Sequence, residues 1–294
     1  MHKRLSLWAI LALVLVSVLA LVQTTLNKKT QIFLQSSTSF KLNMLSGERY
    51  VSNQPTMLKF ALVDQQGKLF KDFDTNDDYR VQLIVIRKDR TNFQHVHPIL
   101  NEADGTFTMR NFQFPVDGSY RVYAVFLPRE ATKGVASKKL TVAPFHDVNV
   151  GNASVSAAQP DTEKLEDTAS GFTTRLVFLP DDSTGTGSAN FVAGVLNPVT
   201  ISISRGGVAY ESLEAYKSSL GRLAAIGPNL ELVAVNANPT DATHQTGIIL
   251  FTIKFPSPGI YKLFLQTNAG GTFTTTGFTV NVKPAPEQAK STKS

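Results

Sequence analysis

Apolar and polar positions fall into three regimes along the chain. From Leu5 to Val22 they do not alternate at all: an uncharged apolar run, WAILALVLVSVLALV over most of its length, follows Lys3 and Arg4. A run of about 18 residues is long for a signal-peptide core and sufficient for a membrane span. Val18 and Ala20 also offer a small-residue cleavage site, so a cleaved signal is the alternative to an anchor. The positive residues ahead of the run favour an N-in orientation, with the bulk of the chain outside.

The second regime begins near Gln35. Short apolar runs end at turn residues, a strand pattern. In a first domain, 35–143, strands are expected over 56–63, 79–86, 91–97, 106–114, 120–127 and 137–142. In a second, 171–283, they are expected over 199–204, 222–226, 231–236, 248–255, 261–266 and 273–282. The third regime is polar. Residues 23–34 read as a stalk that completes an N-terminal segment 1–34, residues 144–170 as a linker that begins with a short strand at most, and 284–294 as a disordered tail. The predicted fold is all-β: two tandem Ig-like antiparallel β-sandwich domains after an N-terminal transmembrane helix or signal segment.

The two domains read as copies. F-P-V-D-G-S-Y-R-V-Y from Phe114 matches F-P-S-P-G-I-Y-K-L-F from Phe255 at an offset of 141. A strand stops at Phe-Pro, a Gly permits the tight turn, and the next strand opens with Tyr120 or Tyr261. Such a Tyr is expected to be buried with its hydroxyl returned to a loop carbonyl. A second match sets Gln82–Pro98 against Arg222–Pro239, with one inserted residue, so that His95-Val-His97-Pro98 falls on Asn236-Ala-Asn238-Pro239.

Composition narrows the chemistry. There is no cysteine, which excludes disulfides, thiolate catalysis, Cys-ligated copper and a lipid-modified Cys anchor. The net charge is +6, part of it at the two ends of the chain, with no basic patch interleaved with exposed aromatics. Nucleic acid is therefore not an expected partner. No nucleophile elbow, H-E-x-x-H or Walker loop occurs. The turns at Gly206-Gly207 and Gly270-Gly271 follow strand-like runs, and Asp181-Asp182 lacks EF-hand spacing. An enzyme is not expected.

His95 and His97 are the chemical candidates. H-x-H on a strand places both rings on one face, and two imidazoles so placed can share a copper or zinc ion. A hairpin centred between Asp89 and Arg90 sets His95 opposite Ile84 and His97 opposite Gln82. The same construction sets Asn238 opposite Arg222. A third donor would come from Asp89, Glu102, Asp104 or His146, whereas His244 falls in a polar loop.

These motifs resemble a group of bacterial exported β-sandwich domains marked by a G-H-L strand, a short loop, H-V-H-P and F-P-x-x-G-x-Y. The resemblance covers both domains and implies a metal role, copper above all. It also implies a His where this chain has Gln82, and it makes the second domain, with Asn at both histidine positions, a degenerate copy. Two functions follow as expectations. One is a non-enzymatic cell-envelope module that binds metal or assists its handling; the other is a structural or protein-interaction module of the cell surface with an envelope partner.

Overall fold

The computed structural model describes residues 39–47, 49–75, 79–129, 143–151, 162–178, 190–215, 219–237 and 246–286. The apolar N-terminal run, the expected strand 137–142, Asn238, Pro239, His244 and the tail lie outside them. Every regular element described is a strand. The first half carries β1 (Phe40–Met44), β2 (Arg49–Tyr50), β3 (Thr56–Asp64), β4 (Phe73–Asp74), β5 (Val81–Arg87), β6 (Gln94–Val96), β7 (Ile99–Asn101), β8 (Thr106–Phe112), β9 (Gly118–Pro128) and β10 (Phe145–Val150). The second carries β11 (Glu166–Ala169), β12 (Phe172–Val177), β13 (Phe191–Val192), β14 (Leu196–Arg205), β15 (Val208–Ala209), β16 (Leu213–Glu214), β17 (Gly221–Ile226), β18 (Leu232–Asn236), β19 (Ile248–Lys254), β20 (Gly259–Ala269) and β21 (Thr272–Lys283).

Each half is a sandwich of two sheets. In the first, β1-β3-β8-β7 faces β2-β10-β9-β5-β6 across a core that includes Leu58, Phe60, Leu83, Phe107, Tyr120 and Phe126. In the second, β11-β12-β14-β15, with β19 on β14, faces β13-β21-β20-β17-β18 across Ile201, Leu223, Ile249, Tyr261, Leu263 and Phe278. Alternation explains the layering. In β3, Leu58, Phe60 and Leu62 point to one side and are fully buried.

The halves repeat one another in detail. Parallel pairing of β2 with β10 is matched by that of β13 with β21, and β4 on β9 by β16 on β20. Both corner tyrosines are fully buried; Tyr120 donates its hydroxyl to Val116 O at 2.8 Å and Tyr261 to Ser257 O at 3.0 Å. The glycine two residues before each Tyr has the same left-handed backbone, φ 138° at Gly118 and 132° at Gly259. A methyl group at Gly259 would meet the rigid Pro228 ring at 2.9 Å.

Three sequence expectations shift. Residues 145–150, assigned to the linker's start, form β10, a full partner of β9 whose Val148 and Val150 are buried in the first core. Residues 166–169, also assigned to the linker, form β11 on β12. In β10 the buried Val148 and Val150 alternate with polar residues, so a strand with one wet face reads locally as a polar segment, and β11, Glu-Asp-Thr-Ala, buries no residue and carries no apolar pattern at all. The third shift is one of register. Ile84 does pair with His95, but Arg222 pairs with Asn236 and not with Asn238. Two one-residue differences make up the shift: the second hairpin lacks the extra residue that the sequence match inserted there, and the first hairpin has a bulge. Arg87 N donates to Thr91 O, yet Val85 pairs with Gln94, so one extra residue sits on the second strand. Asn92, at φ 54°, lies in that stretch. In the second half Gly227 N donates to Glu231 O and Ile226 pairs with Leu232, without interruption. By register, then, the counterpart of His97 is Asn236 and that of His95 is Ala234.

Candidate functional site

Strand β5 is buried along both faces: Leu83 and Val85 enter the first core, while Gln82, Ile84 and Ile86 point the other way and are buried too. What covers them is the second half. Ile84, Ile86, Tyr123, Val125 and Ala143 form one apolar cluster with Ala224, Ile226 and Leu232, flanked by Phe93, Leu230, Ala234 and Phe264. The sheets containing β5 and β17 thus pack outer face against outer face, and the chain is a stack of four β layers. Phe93 stacks on Phe264 with centroids 4.4 Å apart and planes 10° from parallel. Tyr123 donates its hydroxyl to Leu230 O, and Arg90 donates Nη1 to Ile260 O.

His95 lies in this seam. Its Nε2 is 2.8 Å from Gln82 Oε1 and its Nδ1 is 2.6 Å from Gln266 Oε1, which belongs to the other half. Gln82 Oε1 is also 3.4 Å from Arg222 Nη1. Burial pushes the imidazole down to about 3; the Gln266 hydrogen bond opposes this, and the charges of Arg222 and His97 add to it. The ring is therefore neutral at ordinary pH, with one donor and one acceptor. A neutral ring can donate to only one of these two oxygens; since Gln82 Oε1 also receives Arg222, the balanced assignment has Nε2–H donating to Gln82 and the Gln266 amide turned about, so that its NH₂ donates to Nδ1. The Gln266 oxygen then accepts from the Thr275 hydroxyl, the group 3.4 Å from that amide.

The histidine pair does share a face: the two rings lie 5.0 Å apart at 53°, and His97 stacks on Tyr79 with centroids 3.7 Å apart. The proposed third donors are engaged elsewhere. Asp89 pairs with Arg87 at 2.6 Å, Glu102 with Arg80, and Asp104 accepts from Thr106 at 2.7 Å. His146 sits on β10 opposite Val122. Among the described residues no group of three or more His, Asp or Glu side chains is arranged to hold a metal ion.

Sequence reasoning missed Gln266 and Arg222 as neighbours of His95. A signal was present. Val81–Ile86 and Leu223–Ile226 are apolar on both faces, which marks a sheet covered on both sides.

Comparison with solved structures gives distant likenesses. Salmonella alpha-2-macroglobulin reacted with methylamine is 11% identical over 88% of this chain and 16% of that one, with a TM-score of 0.25. Dimeric latent PorU from Porphyromonas gingivalis is 15% identical over 84% and 24%, at 0.26. Escherichia coli alpha-2-macroglobulin activated by porcine elastase is 12% identical over 84% and 20%, at 0.24. The chain thus spans a quarter or less of these much longer proteins. No curated protein matches the sequence. A family model does match, twice, over residues 36–143 and 179–284, the two halves that the repeated corners and strand pairings define. The chain belongs to the family described as a domain of unknown function, DUF8832, and carries that domain in two tandem copies.

Proposed function

We propose that the chain is a non-enzymatic, extracytoplasmic structural or protein-interaction module, tethered by its N-terminal segment, in which two Ig-like sandwiches act as one stiff unit. The observation that carries this reading is the employment of His95. The residue with the most chemical promise in the sequence has both ring nitrogens engaged by glutamines, one from each half. It joins the repeats, and a ligated imidazole would have to give up one of those bonds. The apolar run from Leu5 to Val22 behind Lys3 and Arg4 supports the tether and the outward orientation.

Every described strand lies between Phe40 and Lys283, so a chain beginning at Gln31 retains them all. Calorimetric titration of that chain with Cu(II) or Zn(II) is expected to show no stoichiometric uptake that depends on His95. One-to-one uptake abolished by His95→Ala and by His97→Ala, and tightened by Gln82→His, would replace this reading with the metal-binding one.

A further inference from the structure

Corresponding residues of the two repeats meet across the seam in a pattern close to two-fold symmetry. Gln82 and Arg222 occupy the same position of their strands and approach each other. Phe93 of the first half stacks on Phe264 of the second; Phe264 is the counterpart of Tyr123 and, by register, Leu232 is that of Phe93, and Tyr123 and Leu232 lie in the same apolar cluster. Near such an axis each contact should occur twice with equivalent residues. The partners of His95 break that rule in an ordered way. His95 meets Gln266; the counterpart of His95 is Ala234 and that of Gln266 is Val125. The mirrored positions are therefore Ala234 and Val125, both of which belong to the apolar cluster. Polar residues occupy one side and apolar residues the other.

We infer that these positions make the seam selective for one pairing, the first repeat against the second, and exclude pairing of like repeats between neighbouring copies of the chain. Two first repeats joined through this face would set His95 against Val125 twice, burying two imidazole nitrogens without partners. Two second repeats would set Gln266 against Ala234 twice and bring Arg222 against Arg222 at the axis, two cations in a buried place. Only the mixed pair satisfies every position. The partner of each face is thus the other repeat, and the unlike residues at 82, 95, 125, 222, 234 and 266 carry the discrimination. This holds whatever the joined halves present to a third party.

The test uses the detergent-solubilised full-length chain with a protease site introduced between residues 152 and 161. After cleavage the first half is held by an N-terminal tag, and release of the second half is timed. The halves should stay together. Gln266→Val and His95→Ala should each speed release about ten- to a hundredfold, the range expected for stranding one buried polar partner. Gln266→Val combined with His95→Ala recreates the Ala–Val pair of the other side and should return release to within about threefold of the parent. Gln82→Arg should eject the second half, and adding Arg222→Gln should retain it again. Immediate separation of the parent halves, or double variants no tighter than their singles, would overturn the inference.

Discussion

At the scale of single residues, His95 couples the seam to pH. Its imidazole is held down to about 3, against 6.5 for the unperturbed group. Between those values the unfolded chain binds a proton that the folded chain refuses. His95 therefore contributes stability that is fully present above about pH 6.5 and is lost as pH falls toward 3; a shift of this size amounts to several kcal/mol. Carboxylates such as Asp147, whose pKa is lowered by its bonds to Arg121 and Lys88 despite partial burial, add their own acid loss at lower pH. Comparison with His95→Ala removes that shared part. The slope of unfolding free energy against pH from 4 to 6 should be smaller in the variant by up to about 1.4 kcal/mol per pH unit, the value for one proton. Equal slopes in urea denaturation would mean that His95 is protonated in the folded state. The sequence made His95 and His97 visible as a pair on one face, and that much of the site was legible. The apolar run of β5 marked that face as covered but not by what, because Gln266 lies 171 residues away and nothing local marks the two as neighbours.

At the scale of elements, the first hairpin offers a sharp contrast between two one-residue deletions. Removing Asn92 takes out the extra residue of the bulge and leaves Ile84 opposite His95, the uninterrupted arrangement of the second half. Removing Gln94 leaves the bulge and slips the strand, turning His95 toward the core and Val96 toward the seam. The first deletion should cost under about 1 kcal/mol and the second more than about 3 kcal/mol, since it moves the imidazole from its two glutamine partners into an apolar core without hydrogen bonds. Thermal denaturation of the two variants would decide it, and equal losses would place the bulge elsewhere. The same hairpin shows where strand reading succeeds and fails. Eleven of the twelve strands expected from apolar runs overlap strands of the fold, and the twelfth, 137–142, lies outside the described residues. The Arg222–Asn238 pairing failed because the sequence match put an extra residue in the second hairpin, whereas the extra residue is the bulge of the first, which leaves no mark in an apolar pattern. Residues 145–150 were legible only as a short strand at the start of a linker, because Phe-His-Asp-Val-Asn-Val carries its buried valines among polar residues.

At the scale of the whole molecule, two separate cores linked by a polar stretch suggest two units that melt independently. The shared cluster around Ile84, Ile226 and Leu232 argues otherwise. Exposing a buried Ile or Leu costs about 1.5–3 kcal/mol apiece, so neither half is expected to keep its full stability alone. Calorimetry should record one transition for the intact chain, and Ile226→Asp should split it into two, because a carboxylate in the seam uncouples the halves without entering either core. Two transitions in the unaltered chain would show that the seam is too weak to bind them thermodynamically.

The matched pairs His95–Gln266 and Ala234–Val125 also bear on inheritance. Duplicated segments within one gene tend to be made alike when one copy overwrites the other. Here such an event would be harmful: writing the first repeat's strands over the second would set histidine against valine within the same molecule. The two copies are thus held different at a few positions while remaining alike in their corners. Among relatives that carry both repeats, residue 95 should change together with 266, and residue 125 with 234, across the boundary between copies and not within either one.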